Sequence, residues 1–144
     1  MGFTRNANVL DPVLVIGRVG ALCGNVHEVN PPAWVSDNAL ILEVDNRAFD
    51  RSYLAAVLRS RNLNEIAEKT AQPLITGSQV RDQRVPRPPL EEQGALCRFL
   101  GGETAKIEVM VAKVETAIAR LLEYRTALIT AAVTGQIDVR KAIG

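Results

Sequence analysis

The sequence predicts an α+β protein: a small β-rich domain followed by a long, coiled-coil-like C-terminal α-helix. The first part contains short apolar runs without a helical period, separated by glycines and prolines, which is typical of strands joined by tight turns. From Glu103 onward, apolar residues recur every seven positions, which is the pattern of a helix that pairs with another helix. We therefore expect a domain boundary between residues 1–89 and residues 90–144.

Three strands are expected in the first part. Residues 13–16 form a β-branched run that ends at Gly17, residues 21–29 can return as a second strand, and residues 38–44 give a third. A helix should follow from Ser52, because its apolar residues fall on one helical face: Tyr53, Leu54, Val57 and Leu58. A shorter amphipathic turn continues after Asn62 with Leu63, Ile66 and Ala67.

Residues 72–89 form the one basic segment of the chain. Four of these residues are prolines, so we expect mainly loop or edge strand there. Arg81, Arg84 and Arg87 are opposed only by Asp82 within this segment.

A helix should begin at Pro89, since proline is tolerated in a first turn and Glu91 and Glu92 lie where the helix dipole favours negative charge. We expect this helix to end near Leu100, where Gly101 and Gly102 interrupt it.

The long C-terminal helix is defined by its heptads. Ile107, Val114, Leu121 and Leu128 repeat every seven residues. A companion row three positions later contains Met110, Ala117, Tyr124 and Ala131, and Val111 and Ile118 widen the stripe. With Gly135 as its C-terminal cap, the helix should have roughly 30 residues and a length of about 45 Å. Such a helix is too long to pack wholly on a small domain, so we expect a second long helix as its partner. The alternative is a helix folded back along its own domain.

Composition limits the possible functions. At 144 residues and a net charge of +1, the chain has little room for a cofactor-binding sheet and no global field for a polyanion. No apolar run reaches the roughly 18 residues of a membrane span, and no leader is visible. We therefore expect a cytoplasmic protein that neither spans nor binds a membrane. Cys23 and Cys97 lie in apolar surroundings and are expected to be buried thiols, and His27 has no second metal ligand at a suitable spacing. We expect no cofactor and no metal.

The stretch Asn30-Pro31-Pro32-Ala33-Trp34 resembles the motif with which amino-methyltransferases hold a flipped adenine. That motif has an aromatic residue in fourth place, where this chain has Ala33, and Gly17-Arg-Val-Gly20 does not have the spacing of a cofactor-binding turn. A turn between strands is the simpler interpretation. We therefore predict no catalytic residue, and a self-sufficient adenine methyltransferase remains an alternative.

Two segments of the chain carry a specific pair of motifs: Val85-Pro-Arg-Pro-Pro-Leu-Glu-Glu-Gln93, which opens a helix, and the "EYRTALITAAVTGQIDVR" run at residues 123–140. Together they resemble the DNA-specificity subunit of type I restriction-modification systems. Weaker similarity extends to residues 17–26, 35–42 and 72–75. A usual specificity subunit has two recognition domains and two such helices, whereas this chain has one shortened set. It therefore resembles a half-subunit, either a natural one or a truncated one.

The resemblance implies different roles for the two parts of the chain. Residues 1–89 would be a partial target recognition domain, and residues 90–144 a conserved helical spacer that dimerises, with antiparallel helices by analogy with the family. The expected partners are double-stranded DNA, a second copy, and the methylation and restriction subunits, which carry the catalysis.

Candidate site residues follow from the residue patterns and from the resemblance. The DNA contacts are expected at Arg81, Arg84 and Arg87, with Arg18, Asn25 and His27 as secondary candidates; the alternative for all six is ordinary solvated side chains. The helix seam is expected at Ile107, Met110, Val111, Val114, Ile118, Leu121 and Leu128. A different function would be an assembly module whose shortened recognition domain no longer reads DNA. The target sequence is not readable from these residues.

Overall fold

A computed structural model describes residues 6–67 and 72–137, and it has the α+β fold expected from the sequence. Three strands come first: β1 (Val13–Gly17), β2 (Val26–Val29) and β3 (Ala39–Leu42). They are followed by three helices: α1 (Arg51–Ser60), α2 (Gly77–Arg81) and α3 (Leu90–Val133). Short 3-10 turns lie at Gly20–Leu22 and Leu63–Glu65.

The strands form one antiparallel sheet in the order β2-β1-β3, with Val15 opposite both His27 and Ile41. Because side chains alternate across a strand, Leu14 and Ile16 point to one face, where they are fully buried in the cluster that includes Leu54 and Leu58 of α1. The other face belongs to a second, smaller cluster. Its buried residues are Val9, Val13 and Val15. Burial on both faces explains why β1 is a continuous apolar run.

The second strand is shorter than expected. It covers Val26–Val29 instead of residues 21–29, and Gly20–Leu22 forms a 3-10 turn. Gly20 and Gly24 both have positive φ values, +71° and +81°, which an extended strand does not accommodate. The expectation of loop or edge strand in residues 72–89 also missed α2, a five-residue helix. Its reciprocal capping box between Thr76 and Gln79 explains why a helix forms among so many prolines.

Helix α1 begins and ends at residues suited to those positions. The Asp50 side chain accepts a hydrogen bond from the backbone N–H of Tyr53 at 3.0 Å, which caps the first turn. The face that carries Tyr53, Leu54 and Leu58 is buried, as the helical spacing predicted. The helix stops before Asn62, whose backbone is left-handed with φ of 48°.

The expected interruption at Gly101-Gly102 is wrong, because α3 runs continuously from Leu90 to Val133. Its 44 residues correspond to a length of about 66 Å, compared with the expected 45 Å. Two interior glycines cost about 1 kcal/mol each relative to alanine, which strong helix formers on both sides can offset. The end is as expected: Gly135 has φ of +75°, and the N–H groups of Gln136 and Gly135 donate to the carbonyls of Ala131 and Ala132.

Gln93, in the first turn of α3, is a fully buried polar side chain. Its Oε1 accepts from the Asp50 N–H at 2.8 Å, and its Nε2 donates to the carbonyls of Ala48 at 3.0 Å and Pro88 at 2.8 Å. Three hydrogen bonds satisfy this amide where water cannot reach it. The start of α3 is therefore fastened to the loop that caps α1.

The chain divides into two compact units, Met1–Arg98 and Phe99–Gly144. The first turns of α3, including Gln93, belong to the first unit, and the rest of the helix lies in the second. Among the described residues, no helix is both long enough and apolar enough to cross a lipid bilayer.

We expect Gln93→Leu to lower the free energy of unfolding by about 2 kcal/mol or more, because it leaves a buried N–H and two buried carbonyls without partners. Chemical denaturation monitored by circular dichroism measures the change. The control is Gln136→Leu, the same substitution at an exposed residue after the end of α3, which should change stability by less than about 0.5 kcal/mol. Equal stability of the two variants would contradict this role of Gln93.

Candidate nucleic-acid interface

A groove of about 260 Å³, lined by polar and apolar groups, lies at the outer edge of β2, and we call it the β2 groove. The strand and the residues before it line one side, and the end of α1 and the following turn line the other. Its lining residues are Gly24, Asn25, Val26, His27, Arg59, Asn62, Leu63 and Asn64. The groove thus brings together two of the predicted site residues, Asn25 and His27, with polar side chains that the sequence had not indicated.

Arg59 is held in a defined orientation within the β2 groove. Its Nε donates to the carbonyl of Val26 at 3.0 Å, and its Nη1 lies 3.7 Å from Oε1 of Glu28. Glu28 in turn accepts from the Ser52 hydroxyl at 2.7 Å and lies 3.8 Å from Nε of Arg51. About half of the Arg59 side chain, 49%, nevertheless remains exposed. A guanidinium that is anchored along one edge and exposed along another can bind an external acceptor without first being ordered.

The floor of the groove is formed by a close approach of two backbone segments. A Cβ atom on Gly24 would lie 2.4 Å from the backbone nitrogen of Asn64 and 2.8 Å from the carbonyl carbon of Leu63. Only glycine therefore fits at this position. On the same side, the left-handed Asn62 donates from Nδ2 to Oε1 of Glu65 at 2.6 Å, which supports the turn.

Three polar side chains of the groove have no hydrogen-bond partner within residues 6–67 and 72–137: Asn25, His27 and Asn64. The backbone of Asn25 is fixed, because its N–H donates to Leu22 and its carbonyl accepts from Gly17. The Asn25 and Asn64 amides each offer both donors and acceptors, and the His27 imidazole adds a further polar group. The groove therefore presents to a ligand side-chain hydrogen-bonding groups that no described residue engages.

The basic segment is tied to the end of α1. Arg81 is the last residue of α2, and Arg84 and Arg87 lie in the loop that follows; all three are exposed. The carbonyl of Arg84 accepts from Nη2 of Arg61 at 2.5 Å, and the Tyr53 hydroxyl donates to the carbonyl of Pro86 at 3.3 Å. Since Arg59 lines the β2 groove and Arg61 contacts the loop, the end of α1 connects the two.

The predicted arginines keep their charge available. In the part of the chain that the structure describes, Arg18, Arg81, Arg84 and Arg87 form no ion pair. Arg18 is exposed but lies away from the groove, because its backbone N–H donates to Asn38 beside β3 and its carbonyl accepts from Ile75. Arg61 is a further basic residue of this surface that the sequence had not indicated.

The seven residues of the predicted seam are all exposed on α3, with relative exposures between 40% for Leu128 and 66% for Leu121. Further large apolar residues of the helix are exposed outside the seam: Phe99, Val109, Leu122, Ile129 and Val133. The apolar surface of α3 is therefore wider than the heptad pattern alone indicated.

The other residues singled out in the sequence are residues 30–34 and the two cysteines. Residues 30–34 lie in the connection between β2 and β3, where Asn8 exchanges two side-chain hydrogen bonds with the backbone of Val35, both at 2.7 Å, and Trp34 is exposed. Cys23 is buried as expected, but Cys97 is only half-buried and lies 3.6 Å from Oδ1 of Asp50. Burial raises the pKa of both thiols, and the charge of Asp50 raises the pKa of Cys97 further, so both stay protonated near neutral pH.

These features define a compact α+β unit with the β2 groove, followed by a long helix with exposed apolar residues. Over 80 residues, 56% of the chain, the sequence is 31% identical to a protein of Escherichia coli described as "Type I restriction enzyme EcoprrI specificity subunit". The matched stretch is 20% of that protein, so the chain spans about a fifth of its relative's length. No family model matches the chain. The similarity supports, at low identity, a relationship to type I restriction specificity subunits.

Replacement of Gly24 by alanine should destabilise the protein much more than the same replacement of Gly20. Both glycines have positive φ, so both variants incur about 1–2 kcal/mol of backbone strain. Only at Gly24 would the new Cβ also collide with the backbone of Leu63 and Asn64, whereas at Gly20 no atom lies within 4 Å. Thermal unfolding of both variants measures the difference. Similar melting temperatures would show that the two backbone segments are not in contact.

Proposed function

We propose that this chain is a non-catalytic DNA-recognition half-subunit of a type I restriction-modification system. Residues 1–89 act as a partial target recognition domain for one half of a bipartite site, and residues 90–144 act as the spacer through which two copies pair. The observation that carries this proposal is the similarity over 80 residues to a type I specificity subunit. The β2 groove and the basic segment support it independently of that similarity.

The DNA contacts must be local, because a net charge of +1 provides little long-range attraction to a polyanion. The side chains of Arg81, Arg84 and Arg87 suit phosphate contacts, since they are exposed and form no ion pair within the described ranges. Phosphate contacts position a protein on the duplex, whereas hydrogen bonds to base edges provide sequence specificity. In this proposal the basic segment contacts phosphates, and the β2 groove contributes hydrogen bonds to base edges.

The pairing of two copies follows from the exposed stripe of α3. Leu121 and Val114 are more than half exposed, and a row of such residues over three heptads is unfavourable in water. A second copy provides the same stripe, which makes the contact self-complementary under a twofold axis. We propose antiparallel helices, so that the two recognition domains lie at opposite ends of the pair. The length of the helix pair then determines which two half-sites on DNA can be read together.

Catalysis belongs to other subunits in this proposal. The methylation subunit would provide the methyl-transfer site and the restriction subunit would provide cleavage, with the present chain directing both to their DNA site in the cytoplasm. The chain itself would need no cofactor for this role.

A second candidate function is an assembly module that pairs through α3 but no longer reads DNA. The observation that favours it is the small size of the sheet, whose strands have four or five residues each. Selection from a library of DNA duplexes separates the two functions. A recurring motif among the bound duplexes supports DNA recognition, whereas a dimer that selects no motif supports the assembly module.

Loss of two phosphate contacts should be visible in the salt dependence of binding. We expect the Arg81→Ala/Arg84→Ala variant to flatten the slope of log affinity against log salt concentration by about two units. The measurement is a titration of labelled duplex at several salt concentrations. Its control is Lys106→Ala/Lys113→Ala, which removes the same charge from α3 and should leave the slope unchanged. A slope equal to that of the native protein would show that Arg81 and Arg84 do not contact DNA phosphates.

Leu121→Asp should split the dimer and leave the first unit folded, because a charge in the middle of an apolar seam costs several kcal/mol unless it is paired. Ala119→Asp is the matched control, since two positions along a helix place the same new charge on the opposite side. Sedimentation equilibrium should report a monomer for the first variant and a dimer for the second. A native protein that is monomeric at high concentration would contradict the pairing.

A further inference from the structure

We infer that the β2 groove reads the major-groove edge of a purine in the DNA target, with Asn25, Arg59 and Asn64 as the specificity-determining side chains. This inference rests on the proposed DNA-recognition function and deepens it, because it assigns particular side chains to one class of base. Its starting observation is the set of unpartnered amides around one exposed, oriented guanidinium.

The chemistry of the lining residues matches a purine edge. In the major groove, adenine presents an acceptor at N7 beside a donor at its 6-amino group, and guanine presents two adjacent acceptors at N7 and O6. An asparagine amide, with an acceptor and a donor side by side, complements adenine, and an arginine fork complements guanine. Glutamate or aspartate, the residues that accept from cytosine, are absent from the lining of this groove in the described structure.

The groove favours a base edge over a base flipped out of the duplex. Enzymes that extrude a base hold it between aromatic or apolar side chains in a closed pocket. The β2 groove has a volume of only about 260 Å³, it is open, and its two apolar side chains, Val26 and Leu63, are buried. Its accessible functional groups are amides, an imidazole and a guanidinium. These groups can approach a stacked base from the side.

The groove is organised before any ligand binds. The Val26 carbonyl and Glu28 hold Arg59, and the close approach of Gly24 to Asn64 fixes the distance between the two walls. Because the contacts of Arg59 are present in the free protein, little entropy of this side chain is lost on binding. A pre-formed arrangement is also what discriminates between bases, since a wrong edge would leave the desolvated amides without partners.

The position of the groove suits simultaneous base and phosphate contacts. The end of α1 provides Arg59 to the groove, and two residues later it provides Arg61, which contacts the loop of Arg84. Phosphate contacts of that loop would therefore be made close to the base-reading side chains, as in protein–DNA interfaces in general.

The test compares duplex selections by the full-length native chain with selections by Asn25→Ala, Asn64→Ala and Arg59→Lys. Each variant should lose the preference for a purine at one position by about tenfold to a hundredfold and keep the preferences at other positions. Asn46→Ala is the matched control, because Asn46 is exposed and lies outside the groove. A thermal melt of each variant checks that the fold is retained.

A second experiment changes the DNA instead of the protein. Replacing the selected purine by its 7-deaza analogue, which lacks the N7 acceptor, should weaken binding of the native chain and leave the groove variants unaffected. If the native chain selects a motif that the groove variants also select unchanged, the groove inference is wrong while the proposed function stands. If the native chain selects no motif, both fail. Equal binding of an RNA duplex of the same sequence would also overturn the inference.

Discussion

The buried amide of Gln93 is the interaction on which the first unit depends, because it joins residues 48–50 to residues 88–93, two segments that are distant in sequence. Its oxygen binds the N–H of Asp50, and its nitrogen binds the carbonyls of Ala48 and Pro88. The Asp50 side chain also caps α1 through Tyr53. One loop therefore carries the cap of α1 and the attachment of α3. Since α1 covers the sheet and ends at the Arg59 side chain, the walls of the β2 groove depend on the same contact.

The groove shows how a very small domain can still present a rigid polar surface. A sheet of three short strands cannot form a large core, so its order comes from specific contacts at the edges. Gly24 allows two backbones to touch, Asn62 accepts a left-handed conformation, and Glu28 bridges β2 to the side chains of Arg51, Ser52 and Arg59. None of these contacts stabilises the fold strongly by itself. Together they hold polar groups at fixed positions, which recognition requires.

Features that depend on near neighbours in sequence were predictable, and features that depend on distant contacts were not. Period and turn residues predicted β1, β3 and α1, whereas the seam that the heptads predict on α3 stays a prediction, since only the exposure of its residues is observed. Gly101 and Gly102 were wrongly expected to end a helix. Their cost to helix stability is local, and the helical turns on both sides outweigh it. Asn25 and His27 were candidates because they lie on a strand turn, yet Arg59 and Asn64 were missed. Only the contact between Gly24 and Asn64, 40 residues apart in sequence, brings these side chains to one groove.

The proposed pairing needs a regular helix whose apolar residues are available for contact, and α3 has both properties. Its ends are supported locally, by the acidic first turn and the cap at Gly135, and its large apolar residues are exposed. Those residues remain available for association. They occur along the whole helix, and from Thr126 to Ile137 the sequence has no charged residue. Leu122, Ile129 and Val133 are exposed outside the seam, and a contiguous apolar surface of this kind is unfavourable in water unless it is covered. A second copy that covers the seam would therefore still leave apolar surface, and this surface is where the other subunits of the proposed complex would gain binding energy.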